Sequence, residues 1–438
     1  MPKIVIETFG EIFGDYLLEV VAHPRRSDAL MWFVNKPEKI TLVTTPRVPD
    51  GETERIYLVP SDVDASLLHS VRFPRVIRPY GTAEELFRSM CEVVRKYTML
   101  TELQAALVVF AAMATWLPER SQVPVCVALI GPRSDERQQL LKLVHCFFRR
   151  PLRLAECTLS ELRSLPPTLN PALLIEHCED LLQLRKILRA TSSRDAHLIS
   201  NGRAVSVYCS KVICLEGSGS ASLPDWSAIE IALPHAEGPL PVLNDQTQEQ
   251  IANEFQAKLM MYRKQNYDRP SAASVQDVGP PALSSLSAEI ARALDPCFSG
   301  EPTLQGLLRD TLRSYDELVG KPTEGQLQST TTEALLRACH ESSTAKLHLT
   351  AITKQLNGIL EQQGETLQLD RRAVKKLVRG MGLEFEPRDA TGEYVLLLNA
   401  NRERIHKMAR DSKVLDSNFG SGCSDCDDRQ NELIEAIG

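Results

Sequence analysis

The residues whose spacing speaks most directly of chemistry are Gly131, Glu136, Arg137 and Gln138, in "VPVCVALIGPRSDERQQLLKLVHCFF" from Val123 to Phe148. An apolar run precedes them and an amphipathic segment follows, the outline of a phosphate-binding loop. The working pattern is G-x-x-x-x-G-K-[ST]: the second glycine lets backbone N–H groups close round the phosphates, the lysine neutralises their oxygens and the hydroxyl holds Mg²⁺. Counting from Gly131, those three places hold Glu136, Arg137 and Gln138. A carboxylate at Glu136 would sit against a polyanion, and two like charges ~4 Å apart cost about 4 kcal/mol at an effective dielectric of about 20. Arg137 keeps the charge without the compact ammonium, and Gln138 offers a metal only an amide oxygen.

The second half of such a site is a strand ending in Asp-Glu, the first for Mg²⁺ and the second for the attacking water. "ALLIEHCED" places Glu176 and His177 there. Glu176 could reach a metal through its longer arm, whereas His177 is a poor water activator. With both halves altered together, the expectation is a vestigial nucleotide site made of Gly131, Arg137, Gln138, Glu176 and His177. No catalytic residue, cofactor or metal is expected, and ATP with Mg²⁺ is the one ligand to be weighed. The alternative is a strand and helix with no nucleotide ancestry.

A second constellation lies in "LDRRAVKKLVRGMG". Val374, Leu377, Val378 and Met381 fall at i, i+3, i+4 and i+7, and Asp370 precedes them as an N-cap. The remaining positions carry Arg371, Arg372, Lys375, Lys376 and Arg379. Five cations on the exposed part of one helix suit phosphates and base edges of DNA, and Arg388, at the tip of the following hairpin, could reach the backbone beside it. The competing reading is a solvated face or a protein-binding surface, and Glu384, Glu386 and Glu393 in the same hairpin weigh towards it.

Other candidates carry less. Cys423 and Cys426 form one C-x-x-C without a second pair, and a zinc site needs four ligands. His145, His177, His197 and His235 are too widely spaced for a metal face, and the Gly217 to Ser220 run reads as a loop. No nucleophile elbow, catalytic carboxylate pair or dinucleotide fingerprint is present.

The elements that must position these residues follow from periodicity. Residues 1–80 hold short β-branched runs ("KIVIETF", "ITLVTT", "RIYLVP") broken by Pro, Gly and Asp, a small β-rich domain. From Thr82 to Leu117 the spacing is helical, with Leu86, Met90, Val93 and Val94 on one face. From Val123 to Leu233 strands and helices alternate: "VPVCVALI", "PLRLA", "PALLIEH" and "AIEIAL" as strands, "DERQQLLKLVHCFF", "LSELRSL" and "EDLLQLRKILRAT" as helices, and "RAVSVYCSKVICLEG" as a hairpin. Such alternation implies a parallel or mixed sheet covered by helices, with its ligand edge at the carboxyl ends of the strands, where Gly131 and His177 fall. This lead-in and α/β domain span 81–265. A breaker-rich linker and bridging helices occupy 266–330. Residues 331–410 read helix, short strand, helix, helix, hairpin, the order of a winged helix-turn-helix. The Ser, Gly and Asp rich tail, 411–438, is expected to be flexible.

Of the 438 residues, 43% are hydrophobic and 24% charged. No apolar stretch reaches the roughly 18 residues a membrane span needs, and the acidic N-terminus is unlike a signal peptide. The expectation is a cytoplasmic protein without membrane contact, its eleven scattered cysteines reduced. The net charge of −7 requires any nucleic-acid contact to come from a local basic patch.

The segment from about Tyr97 to Leu233, with the helices and winged helix after it, resembles the P-loop ATPase module of phage and mobile-element helicase or primase-helicase proteins. "AAMATWLPE" is similar to the family's phrase before the loop strand, "GPRSDERQ" stands where the family has "GPpGSGKT", and "ALLIEHCED" where it has "tLLiDEaD", with Glu179 near the second Asp. "VSVYCSKVICLEGSGSASLPDWSAIEIAL" resembles the later phrase: Lys211 matches its Pro-Lys lysine and Leu223-Pro224-Asp225 the triplet before the family arginine, near which Trp226 and Ser227 stand. The resemblance implies an α/β, P-loop NTPase-like (RecA/AAA+-type) core with an N-terminal β-rich domain and a C-terminal winged helix-turn-helix domain. It further implies a catalytically degenerate helicase-type protein acting as a DNA-binding or assembly module of a mobile-element or replication-related system, with DNA, a second copy of the chain or a replication protein as partner. The alternatives are an active ATPase or DNA translocase with an atypical loop, and a protein-binding regulator without DNA contact.

Overall fold

The structure is a computed structural model. It describes residues 2–412 apart from 27–28, 37–38, 133, 179–180, 201–202, 216–227, 234–239, 269–282, 284, 320–323, 342–344, 363–367 and 390–391. Glu179, the Gly217 to Ser220 run, Leu223-Pro224-Asp225, Trp226, Ser227, His235, most of the linker stretch and the Cys423/Cys426 pair therefore lie outside the described residues. The chain forms two compact units, Met1–Asp316 and Glu317–Gly438.

The first unit begins with β1 (Lys3–Glu7), β2 (Gly10–Phe13), β3 (Tyr16–Ala22), β4 (Leu30–Lys36), β5 (Lys39–Val43), β6 (Arg47–Asp50) and β7 (Thr53–Leu58). β2 to β5 form an antiparallel meander, and β1-β7-β6 a second, mixed sheet. The short α1 (Ala65–Ser70) and an extended segment lead to α2 (Ala83–Tyr97) and α3 (Glu102–Ala114). Thr82 and Thr101 close capping boxes with Glu85 and Gln104, which fixes both helix starts. From Ala105 to Ala114 α3 is buried on every side, as that unbroken apolar run requires.

Then come β8 (Cys126–Ile130), α4 (Asp135–Phe147), β9 (Pro151–Leu154), α5 (Leu159–Ser164), β10 (Ala172–Ile175), α6 (Leu181–Ala190), the hairpin β11 (His197–Ser200) and β12 (Arg203–Ser206), β13 (Lys211–Leu215) and β14 (Ile229–Ala232). The sheet order is β14-β8-β13-β10-β9, with all pairs parallel. β8, β10 and β13 are almost wholly buried, as strands covered on both faces must be. This is the expected P-loop NTPase-like core. One assignment within it is corrected: over its described residues, Arg203 to Leu215, the segment read as a hairpin is not one. Arg203–Ser206 pairs backwards with His197–Ser200, while Lys211–Leu215 is a central parallel strand. α7 (Asp245–Asn266), α8 (Ser285–Phe298) and α9 (Pro302–Val319) follow.

The N-terminal sheets and the α/β sheet share one core, in which Phe9, Leu18, Val20 and Trp32 join Leu152, Leu173 and Ile213. A buried charge cluster fastens the same joint. Glu19 on β3, 2% exposed, pairs with Arg149 at 2.6 Å, Arg150 at 2.7 Å and Arg263 of α7 at 3.3 Å. Burial pushes the Glu19 carboxyl up, but the three guanidinium groups outweigh it and hold it down at about 2. Gly10 makes room for the cluster, because a Cβ there would meet Arg150 Nη2 at 2.9 Å and the Leu18 carbonyl oxygen at 3.1 Å.

The second unit contains α10 (Glu324–Glu341), β15 (Lys346–His348), α11 (Leu349–Gln362), α12 (Arg371–Gly380), β16 (Glu386–Asp389), β17 (Gly392–Leu396) and α13 (Asn399–Asp411). β15-β17-β16 is antiparallel, and Leu335, Ile352, Leu356, Val374, Val378 and Val395 form the core of this winged helix.

Candidate functional site

The loop after β8 is built on Gly131, whose φ of +152° is open to glycine and whose amide donates to the Leu215 carbonyl at 3.1 Å. A Cβ there would meet Leu233 Cβ at 3.1 Å. Ser134 then caps α4: its Oγ accepts the Arg137 amide at 3.2 Å, and its carbonyl accepts the Gln138 amide at 3.2 Å. In a phosphate loop those two amides face the ligand; here the chain satisfies both itself. Asp135 and Glu136 supply the negative charge that favours the first turn of a helix.

Glu136 departs from its expected place. Its Oε1 accepts the Met99 amide at 2.8 Å, tying α4 to the junction between α2 and α3. The side chain is buried, and burial raises its pKa although the Met99 bond lowers it. Glu136, at the second-glycine position of the motif, is thus a packing contact. Arg137 is 1% exposed and folds back so that Nη1 donates to the Gly131 carbonyl at 3.3 Å. Gly131 and Arg137 are brought together, with the guanidinium across the loop's own backbone.

Gln138 and Glu176 also meet, Nε2 to Oε2 at 3.4 Å. Between them lies a residue that sequence reading did not single out. Arg153 of β9 donates from Nε to Glu176 Oε1 and from Nη2 to Gln138 Oε1 at 2.5 Å. The hydrogen bond from Arg153 holds the Glu176 carboxyl below its ordinary range despite partial burial. The two residues standing where Mg²⁺ ligands would be therefore grip a guanidinium cation. The only sequence signal for Arg153 is its cation within the apolar "PLRLA" strand; its meaning depends on the register that sets Arg153 beside Leu174, two residues before Glu176.

His177 is at the same sheet edge, its amide bonded to the Ala155 carbonyl at 2.9 Å. Its ring Nδ1 is buried and has no hydrogen-bond partner among the described residues. The side chain lines a pocket of about 250 Å³ with Glu156, Cys157, Cys178 and Gln183. Lys211, matched in sequence to a family lysine, is buried at the amino end of β13 and donates to the Thr191 carbonyl at 3.4 Å. It lies at the sheet edge opposite Gly131. Among the described residues no group of three or more His, Cys, Asp or Glu side chains could hold a metal ion. The Arg137 and Gln138 amides, the Gln138 and Glu176 side chains and the Arg137 guanidinium all have partners within the chain.

In the second unit, Asp370 caps α12 by accepting the Ala373 amide at 2.8 Å, and Val374 and Val378 are fully buried. Arg371, Arg372, Lys376 and Arg379 are exposed. Lys375 corrects the expectation of five open cations: it is half-buried and pairs with Glu393 of β17 at 2.5 Å. Arg379 stands 3.8 Å from Glu384, both well exposed, a geometry of little energetic weight. Arg388 is in β16, and its side chain lies outside the described residues. α13, a helix that periodicity did not assign, brings the exposed Arg404 against Gly382 just after α12.

No helix among the described residues is long and apolar enough to cross a membrane. No family model and no curated protein matches the chain. Solved structures show distant similarity. The apo C-terminal region of NrS-1 has 8% identity over 87% of this chain and 97% of its own, with a TM-score of 0.33. A full-length MCM homolog from Methanopyrus kandleri has 11% identity over 68% and 74%, with a TM-score of 0.29. Cdc6p from Pyrobaculum aerophilum has 12% identity over 80% and 98%, with a TM-score of 0.20.

Proposed function

We propose that this chain is a non-hydrolysing P-loop-type protein of a replication-related or mobile-element system, whose α/β core is an assembly module and whose α12 contacts DNA. The observation that carries the first part is the Arg153 guanidinium held by Gln138 and Glu176, in the place where a working site holds its metal. The internally closed amides of Arg137 and Gln138 support it. A phosphate would have to displace Ser134 from one of those amides and break the first helical bond of the other, at about 1 kcal/mol for each neutral bond. The metal would have to expel a cation already paired with a carboxylate.

The second part rests on Arg371, Arg372, Lys376 and Arg379, four exposed cations on one short helix of a protein whose overall charge is negative. Phosphate contacts made by such a patch give binding that weakens steeply with salt. The ion pairs Lys375–Glu393 and Arg379–Glu384 favour a second reading, a protein-binding winged helix.

The test has two arms. Phosphate release from ATP should stay at background with and without single-stranded DNA; turnover that Arg137→Ala abolishes would restore the active-ATPase reading. Fluorescence anisotropy with duplex and single-stranded oligonucleotides should show salt-dependent binding that Arg371→Glu with Arg372→Glu lowers at least tenfold. Unchanged binding would leave the protein-binding reading in its place.

A further inference from the structure

The first unit has a second concavity unrelated to the phosphate loop. It is a cleft of about 560 Å³ between the N-terminal sheet, α1, the extended Val71 to Arg75 segment, α4 and α7. That volume is within the roughly 300–1,000 Å³ of small-molecule sites. Leu30, Val59, Leu68, Phe73 and Ala252 supply apolar wall. The polar groups are gathered on the side formed by Arg72, Arg75, His145, Glu249, Asn253 and Gln256.

Their states are set by one another. Arg72 Nη1 pairs with Glu249 Oε2 at 2.7 Å, and Glu249 Oε1 accepts Asn253 Nδ2 at 3.1 Å, so each carboxylate oxygen has a partner. Arg72 Nε donates to His145 Nδ1 at 3.4 Å. Burial, helped by the Arg72 and Arg153 charges, pushes His145 down to about 4, so the ring is neutral at pH 7 and carries its proton on Nε2 as a donor. With Glu249 balancing Arg72, the exposed Arg75 leaves one net positive charge at the mouth.

Gln256 adds the opposite requirement. Its Nε2 gives hydrogen bonds to the Cys146 carbonyl at 3.1 Å and the Phe148 carbonyl at 2.9 Å, which fixes the amide's orientation. Its Oε1 is buried without a partner among the described residues, on a side chain only 2% exposed that lines the cleft. A buried acceptor of this kind calls for a donor, because unmet it has given up its hydrogen bonds to water for nothing in return.

We propose that this cleft binds a small organic monoanion with an apolar body and one N–H or O–H donor: the anion at Arg75, the body against Phe73 and Leu68, the donor on Gln256 Oε1. The site is independent of the nucleotide loop and of the winged helix, so failure of the proposed function leaves it standing.

The full-length protein is titrated with 8-anilinonaphthalene-1-sulfonate, an aromatic monoanion with one N–H, whose fluorescence rises on leaving water. One saturable site is expected. Arg75→Glu, which reverses the charge at the mouth, and Ala65→Trp, which blocks the exposed rim on α1, should each weaken binding at least tenfold without changing thermal unfolding. The phenoxy analogue, with ether oxygen in place of the N–H, should bind at least fivefold more weakly to the unaltered protein. Non-saturating fluorescence, affinity indifferent to both substitutions, or equal affinity for the phenoxy analogue would each overturn the assignment.

Discussion

Replacing Glu19 by Gln should destabilise the first unit by about 3–5 kcal/mol, the range for breaking a buried ion pair by removing one partner. The substitution keeps the side-chain volume and leaves Arg149, Arg150 and Arg263, all at most 5% exposed, without their shared counter-charge. The titration gives an independent magnitude. A carboxyl held at about 2 rather than its ordinary 4.5 corresponds to about 3 kcal/mol of preference for the folded state at neutral pH. Because the folded value is depressed, that stabilisation is fully present above pH 4.5 and is lost as the pH falls from 4.5 towards about 2. The assay is urea unfolding followed by the fluorescence of Trp32 and Trp116, both buried in this unit. The gap between the unaltered protein and Glu19→Gln should be widest at pH 7 and close as the pH approaches 2. A gap under about 1 kcal/mol at pH 7, or one of constant width down to pH 2, would mean that the Glu19 charge does not hold the three arginines in place. The consequence reaches the nucleotide loop, since Arg149 and Arg150 directly precede the strand that carries Arg153.

Three further outcomes follow. Gly131→Ala should cost about 1–3 kcal/mol in urea unfolding, because the new Cβ meets Leu233 in a backbone conformation that alanine avoids. Ser134→Ala should cost about 1 kcal/mol in the same assay through loss of the α4 cap. On α12, Lys376→Ala should weaken DNA binding and lower the salt slope by about 1, whereas Lys375→Ala should do less because Glu393 already holds that ammonium; equal effects in anisotropy would contradict the assigned pairing.

Much of the fold is legible in local pattern. The Val, Ile and Leu runs of β8 and β10, the capping residue Asp370, and the spacing of Val374 and Val378 each act over a few residues, and the structure keeps them where the local sequence puts them. The misplaced hairpin shows where that reach ends. Two neighbouring β-forming runs, Arg203–Ser206 and Lys211–Leu215, look like partners, and only burial of the second between β8 and β10 separates them. The candidate site divides the same way. Spacing alone picks out Gly131, Arg137, Gln138, Glu176 and His177, and the fold brings Gly131 to Arg137 and Gln138 to Glu176. Arg153, the partner of Glu176, and Met99, the partner of Glu136, are 23 and 37 residues away along the chain, joined by sheet register and helix packing that no local pattern encodes. Glu19 likewise reads as one polar residue in an apolar strand until three arginines are folded around it.

If the chain fills its own phosphate-loop site, as proposed, titration calorimetry of the full-length protein with ATP and Mg²⁺ gives no saturable heat up to millimolar nucleotide. A stoichiometric isotherm that depends on Mg²⁺ and vanishes in Arg137→Ala would contradict it.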